Sequence, residues 1–437
     1  MSLLDATELI LRAEDEEISR GLEDVRRPPI RRVSYSDILH GDKLPPQPEL
    51  EFIDPMDLRV DKTLFLGLDL LNSIEEIEDP ESAKARAEFL IKLMKTREEI
   101  FPEDHPKVYV ALALPEKEHL ETVKGRWTYY VWKDTAYDGS KTPSFEGWVR
   151  DISSIADTLR REGVKVRIYG GKSATILEEM GYDVTKVEFS NVLVKLGYPR
   201  DPSVTWSNSP IIMNMTLDQR RGEESVASQF FRKIGLYPVF RPRWWFNGRH
   251  LVRARAEGGN FILVKSEDRS VLFTGIGIRG SNRAAIELIR EFLSIRGYDI
   301  EIYGVPLPGY IRNWRTGAVH LDVVMMHAGP SIILSPGRMG FYSLVKLDGG
   351  FDIVEAGHVF KELGMEVDEM PVRGSEITLV NALNLGNGKL VVDSFNAEAS
   401  RYLEREWGLD IIEVSIPQIE AGGGGVRCAT REYYPKE

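Results

Sequence analysis

The sequence predicts an α/β protein built from repeated modules set around an axis. Three observations predict it. An amphipathic helical stretch, then a glycine, then a β-rich run occurs five times, in "ADTLRREGVKVRIYG", "SQFFRKIGLYPVF", "REFLSIRGYDIEIYGV", "VFKELGMEVDEMPV" and "YLEREWGLDIIEVSI". The glycines are Gly163, Gly235, Gly297, Gly364 and Gly408, and they recur 44 to 72 residues apart. That spacing suits repeated supersecondary units. Between the units lie short apolar runs bounded by Gly or Pro, among them "KVYVALAL", "PIIMNM", "SVLFTGIGI", "SIILSP" and "KLVVDS", which read as buried strands. A plain doubly wound sheet is the competing architecture.

Each element follows from local chemistry. A glycine just past a helix adopts the left-handed cap at little cost, so the strand can begin at once. A shorter sixth candidate, "ILEEMGYDVTKVEF", blurs the count. Residues 1–105 differ from the rest. They carry acid-rich helical stretches, a proline-bearing linker "HGDKLPPQPELEFIDP" and a helical pattern in "ESAKARAEFLIKLMKTREEIF". We take 1–105 as an N-terminal extension and 106–437 as the main α/β domain.

Composition narrows the function classes. The chain has a net charge of −12, which argues against nucleic acid as a partner, since phosphate contacts need a basic face. It equally disfavours an anionic membrane surface, and no apolar run approaches ~20 residues. A single cysteine excludes an intramolecular disulfide, and the acidic N-terminus is not a signal peptide, so a cytoplasmic location is expected. A homo-oligomer is compatible with the sequence.

One motif misleads. "YGGKSATIL" at 169–177 suggests a phosphate loop, but that loop needs a glycine five positions before its GK pair, where this chain has Val166. Four other stretches fit a single chemistry. "GYPRDPSVTW" carries Asp201, "RAEGGNFILV" carries Glu257, "GAVHLDVVMMHAG" carries His320 and Asp322, and "AGGGGVRCATRE" carries Cys428. Strand alternation would set His320 and Asp322 on one side. A thiolate attacks electrophilic carbon, and a neighbouring imidazole manages its protons. Glu257 is suited to orient that imidazole. Asp201 and Asp322 remain, and two carboxylates match the geometry and charge of a planar guanidinium. The glycines before Cys428 are expected to let backbone approach the substrate and the tail fold over it. His327 and the cluster Trp244, Trp245 and Phe246 are read as packing.

Together these stretches, R-D-P, E-G-G, H-L-D and a glycine run into a C-terminal Cys, resemble the arginine deiminase and amidinotransferase family of guanidine-modifying enzymes, over roughly residues 106–432. Similarity to arginine deiminases extends to "PIIMNMTLDQRRGEE", "FRPRWWFNG" and "LVVDSFNAEASRYLEREWGLDIIEV". The resemblance implies a five-fold pseudosymmetric α/β propeller, the pentein fold. It implies that Cys428 attacks the guanidinium carbon to form an amidino-cysteine intermediate, and that His320 first protonates the departing amine and then activates the incoming water or amine. It further implies that Asp201 and Asp322 hold the guanidinium and that Glu257 pairs with His320. Arg220, or next to it Arg221, would hold a substrate carboxylate. No metal or organic cofactor is implied, and the partner is a small guanidino compound such as arginine.

The chain departs from the family pattern in several places. Asn260 stands where the family has an acid. Glycine replaces an arginine in "GIGIRGSNRAAIE", with Arg279 or Arg283 nearby. Arg427 stands before the cysteine where many relatives have histidine. Too few residues separate the first strand from R-D-P for the usual helical insert of arginine deiminases. The first expectation is hydrolysis of arginine to citrulline and ammonia. An amidinotransferase is the alternative, and a non-catalytic binding protein on the same fold is a third reading.

Overall fold

The computed structural model describes residues 92, 95–122, 143–189, 192–193, 195–216, 220–238, 240–246, 251–266, 268–277, 280–307, 320–329, 331–334, 343–347, 352–371 and 378–436. Most of the expected N-terminal extension lies outside the described residues, as do Arg279 and most of the helical pattern at 81–101.

The five helix–glycine–strand stretches belong to a larger unit. In the first, β1 (Tyr109–Ala113) leads through α1 (Phe145–Arg161) to β2 (Lys165–Gly170), which lies parallel to β1. Ser144 caps α1 by accepting from the Gly147 amide at 3.1 Å, and Arg160 and Arg161 end it where the helix dipole favours cations. Its apolar stripe, Trp148, Ile152, Ile155, Ala156 and Leu159, is fully buried. The sixth candidate appears as α2 (Thr175–Glu179) and β3 (Val184–Lys186), which extends this sheet beside β2.

The next units start with an antiparallel pair. β4 (Ser203–Val204) pairs with β5 (Ile211–Ile212), α3 (Glu223–Lys233) follows, and Phe240 returns in a parallel bridge to Ile211. A small hairpin of β6 (Trp244–Phe246) and β7 (Leu251–Arg253) comes next. Then β8 (Phe261–Lys265) pairs with β9 (Ser270–Ile276), and α4 (Arg283–Ile295) leads to β10 (Glu301–Pro306), parallel to β9. Asn282 caps α4 by accepting from Ala285 at 3.1 Å. β11 (Met325–Ala328) pairs with β12 (Ser331–Leu334). β13 (Ser343–Lys346) and β14 (Asp352–Glu355) add to the β10 edge. After α5 (Ala356–Glu362), β15 (Glu366–Glu369) lies parallel to β12. Last, β16 (Leu383–Gly386) pairs with β17 (Lys389–Asp393), and α6 (Ala397–Trp407) leads to β18 (Asp410–Val414), parallel to β17.

The pattern is therefore strand, antiparallel strand, helix, parallel strand. The first unit obtains its antiparallel partner from the far end of the chain: after α7 (Pro417–Ala421), β19 (Arg431–Glu432) pairs antiparallel with β1. Each of α1, α3, α4, α5 and α6 packs its apolar face into a separate cluster, five among the described residues. Burying a Leu or Phe in such a cluster contributes about 1.5–3 kcal/mol.

The glycines behave as expected. Gly163, Gly235, Gly297, Gly364 and Gly408 have φ of +79°, +82°, +72°, +68° and +62°. The misleading 169–177 stretch forms the end of β2, a turn and α2. There the Glu116 carboxylate accepts from the Ser173 amide and hydroxyl, and a Cβ on Gly171 would lie 2.1 Å from Glu116 Oε1. A carboxylate thus occupies the turn where a phosphate would have to sit. Trp245 packs against the α4 cluster, and the Arg283 guanidinium lies 5.7 Å from its ring.

A Cβ at Gly297 would meet nothing within 4 Å, so an alanine there isolates backbone strain from packing. Gly297→Ala should cost about 1–2 kcal/mol in urea unfolding, and Gly297→Asn should recover part of that loss. Equal stability of Ala and Gly at this position would contradict the left-handed cap.

Candidate active site

Asp201, Glu257, His320, Asp322 and Cys428 sit in one kind of place, the turn that leads into the first strand of an antiparallel pair. Asp201 precedes β4. Glu257 begins a 3-10 turn, Gly258–Asn260, that runs into β8. His320 begins a 3-10 turn, Leu321–Val323, just before β11. Cys428 precedes β19. The fifth such turn, before β16, contains Asn381, which sequence reasoning did not select. His320 and Asp322 therefore do not share a strand face, as alternation suggested. The 3-10 turn brings them to the same site.

These five turns are hydrogen-bonded to one another in a closed circuit. Gly258 N donates to Asp201 O at 2.7 Å, and Gly259 N to Asp201 Oδ1 at 3.3 Å. Leu321 N donates to Asn260 Oδ1 at 3.2 Å. Asn381 Nδ2 donates to Asp322 O at 3.0 Å, and Asn381 Oδ1 accepts from Cys428 N at 3.0 Å. Arg200 N, beside Asp201, donates to Cys428 O at 3.3 Å and closes the circuit. The role of Asn260 follows: its amide oxygen joins two turns, which a carboxylate oxygen would do equally. Its Nδ2 is buried without a partner among the described residues.

The side chains converge at Gly259. A Cβ there would lie 2.8 Å from Asp201 Oδ1, 3.0 Å from His320 Nδ1 and 3.1 Å from Asp322 Oδ2. Only glycine leaves room for all three. His320 Nε2 is hydrogen-bonded to Glu257 Oε2, while its Nδ1 lies 3.5 Å from Asp201 Oδ1. Cys428 Sγ donates to Asp322 Oδ2 at 3.7 Å. Cys428 is 4% exposed, His320 6% and Asp201 3%, and Glu257 and Asp322 are fully buried.

Burial and charge set the proton positions. Burial alone would raise Asp201, but His320 and Arg220 outweigh it and hold the carboxyl below its usual range. Burial would also neutralise His320, yet Asp201, Glu257 and Asp322 prevail and raise its pKa. Asp322 is raised, because burial exceeds the help of Arg427 and His320. Cys428 is raised well above an ordinary thiol, first by burial and then by the Asp322 and Asp201 charges. These shifts favour an imidazolium between the carboxylates and a neutral thiol beside it.

Two expectations change. Arg220, expected to meet a substrate carboxylate, is buried. It donates to Asp201 Oδ2 at 2.6 Å and grips Glu223 through Nε and Nη2. Its cation supports the site's own carboxylate. The glycines before Cys428 are not a flexible ramp. Gly422, Gly424 and Gly425 are buried, and Cβ atoms there would lie 2.3 Å from Tyr198 Oη, 2.3 Å from Tyr198 Cε1 and 2.7 Å from Asn381 Oδ1. The close approach is to Tyr198 and Asn381, and it seats the cysteine. Arg427 and Asn381 are the site neighbours that sequence reasoning gave no role. Asn381 was legible only through its equivalence to the other four lead-in turns.

Asp201, Glu257 and His320 each offer an oxygen or nitrogen within 4.8 Å of the others, a spacing that could hold a metal ion. Their donors are already committed: the imidazole bridges both carboxylates and Arg220 covers Asp201. The set reads as an acid–base cluster. No helix among the described residues is long and apolar enough to cross a membrane.

The raised thiol pKa has a direct consequence. Alkylation of Cys428 by neutral iodoacetamide should accelerate with pH past 9 without levelling off. A plateau below pH 8 would show a resting thiolate and contradict the electrostatics above.

Comparison with known proteins agrees with this geometry. An arginine deiminase from Oenococcus oeni is 23% identical over 287 residues, covering 60% of this chain and 66%, about two thirds, of that protein. An arginine deiminase from Latilactobacillus sakei is 22% identical over 317 residues, covering 66% and 74%. Among solved structures, the N-terminal domain of the cyanobacterial arginine dihydrolase ArgZ, bound to product, superposes with a TM-score of 0.50 at 13% identity, covering 75% of this chain and 98% of that domain. The same domain covalently bound to a reaction intermediate also gives 0.50, at 15% identity. The family model described as "N,N dimethylarginine dimethylhydrolase, eukaryotic" matches residues 149–434, a span that takes in all five lead-in turns, and the chain belongs to that family of guanidine-modifying, pentein-fold proteins.

Proposed function

We propose that this protein hydrolyses the guanidino group of arginine, giving citrulline and ammonia through an amidino-cysteine intermediate. The observation that carries the reading is the convergence of His320, Asp201 and Asp322 about Gly259, with Cys428 Sγ 3.7 Å from Asp322 Oδ2. The likeness to arginine deiminases supports it. The five strand–strand–helix–strand units, with their lead-in turns in a hydrogen-bonded circuit, support the finer reading of the fold as a five-fold pseudosymmetric propeller. We also place the catalytic domain at 106–437, with residues 1–105 as an extension whose final segment reaches the site.

The steps follow from the resting charges. A guanidinium held between Asp201 and Asp322 offsets one unit of the negative charge that raises Cys428, so binding favours loss of the thiol proton to solvent and leaves the thiolate. The sulfur then attacks the guanidinium carbon. His320, already an imidazolium, gives its proton to the departing nitrogen; the carbon–nitrogen bond breaks and ammonia leaves. Neutral His320 next takes a proton from water, whose oxygen attacks the same carbon. The carbon–sulfur bond breaks and the hydroxyl proton returns to the sulfur, giving the ureido product and the thiol. Glu257 holds the ring's orientation and stabilises its charged form throughout. Nothing in these steps needs a cofactor.

A second reading, hydrolysis of an N-methylated arginine, is favoured by the family match; there the leaving group is a methylamine rather than ammonia. An amidinotransferase would share the first half and deliver the intermediate to an amine.

Incubation with arginine alone should give citrulline. Ornithine that appears only with an added amine would replace the hydrolase by the transferase, and turnover confined to N-methylated arginine would select the second reading. Cys428→Ala should abolish turnover, and near-normal rates would remove the covalent route. Asp322→Asn should raise KM on the order of 100-fold, the scale expected for leaving a buried cation short of one partner. An unchanged KM would reject Asp322 as a guanidinium ligand.

A further inference from the structure

Asp322 has unequal oxygens. Oδ2 receives Arg427 Nη1 at 2.9 Å and Cys428 Sγ at 3.7 Å. Oδ1 is fully buried and has no hydrogen-bond partner among the described residues. Arg427 is itself held from behind. Its Nε and Nη2 grip the two oxygens of Glu103 at 2.8 and 3.1 Å, and Nη2 also donates to Phe261 O at 3.0 Å. The Arg427 side chain is 3% exposed and that of Glu103 9%. Glu103 lies on the segment that joins the N-terminal region to β1. That segment is anchored nearby, through Phe101 N to Trp206 O and Glu103 N to Leu263 O, both at 2.8 Å, and through Phe101 stacked on Tyr434.

The other carboxylate of the clamp is built alike. Asp201 Oδ2 receives Arg220, and Arg220 is backed by Glu223. Each clamp carboxylate thus has one oxygen tied by a buried arginine with its own second carboxylate.

We propose that Arg427 and Glu103 are a positioning pair that keeps Asp322 ionised and fixes its rotation for the substrate guanidinium. The proposal rests on Asp322 being a guanidinium ligand. The Arg427 bond to Oδ2 fixes the rotation of the carboxyl beside Cys428 Sγ and Asp201 Oδ1. The fixed arginine also offsets repulsion among Asp322, Asp201 and Glu257 before substrate arrives. Glu103 holds the guanidinium plane through a bidentate contact that a lysine at 427 would not reproduce. The charged and titratable groups around Asp322 are Arg427, His320, Asp201, Arg200 and Cys428.

The test needs no turnover. Cys428 is alkylated with chloroacetamidine, a flat cation, and with neutral chloroacetamide, and the ratio of the two rates is followed against pH by intact mass. The preference for the cation should fall as pH drops and Asp322 takes a proton. Arg427→Gln should move that fall about one pH unit or more upward, since a nearby cation no longer favours the carboxylate. Arg427→Lys should bring it part of the way back. Glu103→Gln should move it downward, because Arg427 then shares its charge with Asp322 alone. A merely structural role predicts slower reaction with both reagents and an unmoved midpoint. Unmoved midpoints in Glu103→Gln and Arg427→Lys, or an upward shift in Glu103→Gln, would overturn the positioning role even if Arg427→Gln fails to fold. A wild-type protein with no preference for the cation at any pH would instead sink the guanidinium reading itself.

Discussion

Five turns, each leading into an antiparallel strand pair, donate and accept hydrogen bonds around a closed circuit, and every proposed catalytic group stands on it. Backbone amides of Gly258 and Leu321, the side-chain amides of Asn260 and Asn381, and the carbonyls of Asp201, Asp322 and Cys428 make its links. Buried polar groups must be satisfied, because an unpaired one costs roughly 1–3 kcal/mol. The circuit satisfies many of them with each other. It thereby fixes the relative positions of side chains far apart in sequence, from Asp201 to Cys428. The helices and strands behind it act as a rigid frame, each helix packed in its own apolar cluster.

The circuit alone would be unstable electrostatically. Asp201, Glu257 and Asp322 lie within one small buried region, and like charges there push pKa values up. His320 and two buried arginines answer this. His320 sits between Glu257 and Asp201, Arg220 between Asp201 and Glu223, and Arg427 between Asp322 and Glu103. Each cation bridges carboxylates, so the local excess stays negative without becoming prohibitive. A buried ion pair contributes little net stability compared with a well-packed apolar pair, and breaking one costs about 3–5 kcal/mol. Such an arrangement is better explained by holding charge in place for a cationic ligand than by stability.

Much of this was legible in the sequence because it follows from local chemistry. A glycine after a helix has a conformational reason, and all five proved left-handed. The motifs around Asp201, Glu257, His320 and Cys428 carry residue types whose chemistry combines in only a few ways. What stayed hidden depends on packing across the fold. Neither alternation nor helical periodicity reveals the 3-10 turn that presents His320 and Asp322. The glycines before Cys428 look flexible in one dimension, and only Tyr198 and Asn381 show that they are crowded. Arg220 and Glu223 are three residues apart at a helix start, so their pairing was readable, but Glu103 and Arg427 are separated by most of the chain.

That long separation bears on how the substrate is read. The clamp on Asp201 is local, since Arg220 and Glu223 come from the same unit as Asp201. The clamp on Asp322 draws on three distant pieces: the segment before β1, the turn before β11 and the turn before β19. A site assembled in this way can keep its thiol and imidazole in place while the carboxylate beside the thiol is re-aimed from outside. Histidine, the residue the family resemblance leads one to expect before the cysteine, is too short to fork onto a carboxylate in the manner of Arg427, and it can lose its charge near neutral pH. Arginine keeps its charge and brings Glu103 with it. Arg427 and Glu103 therefore act as one unit on Asp322, since the arginine that meets the Asp322 carboxylate is itself held by the Glu103 carboxylate.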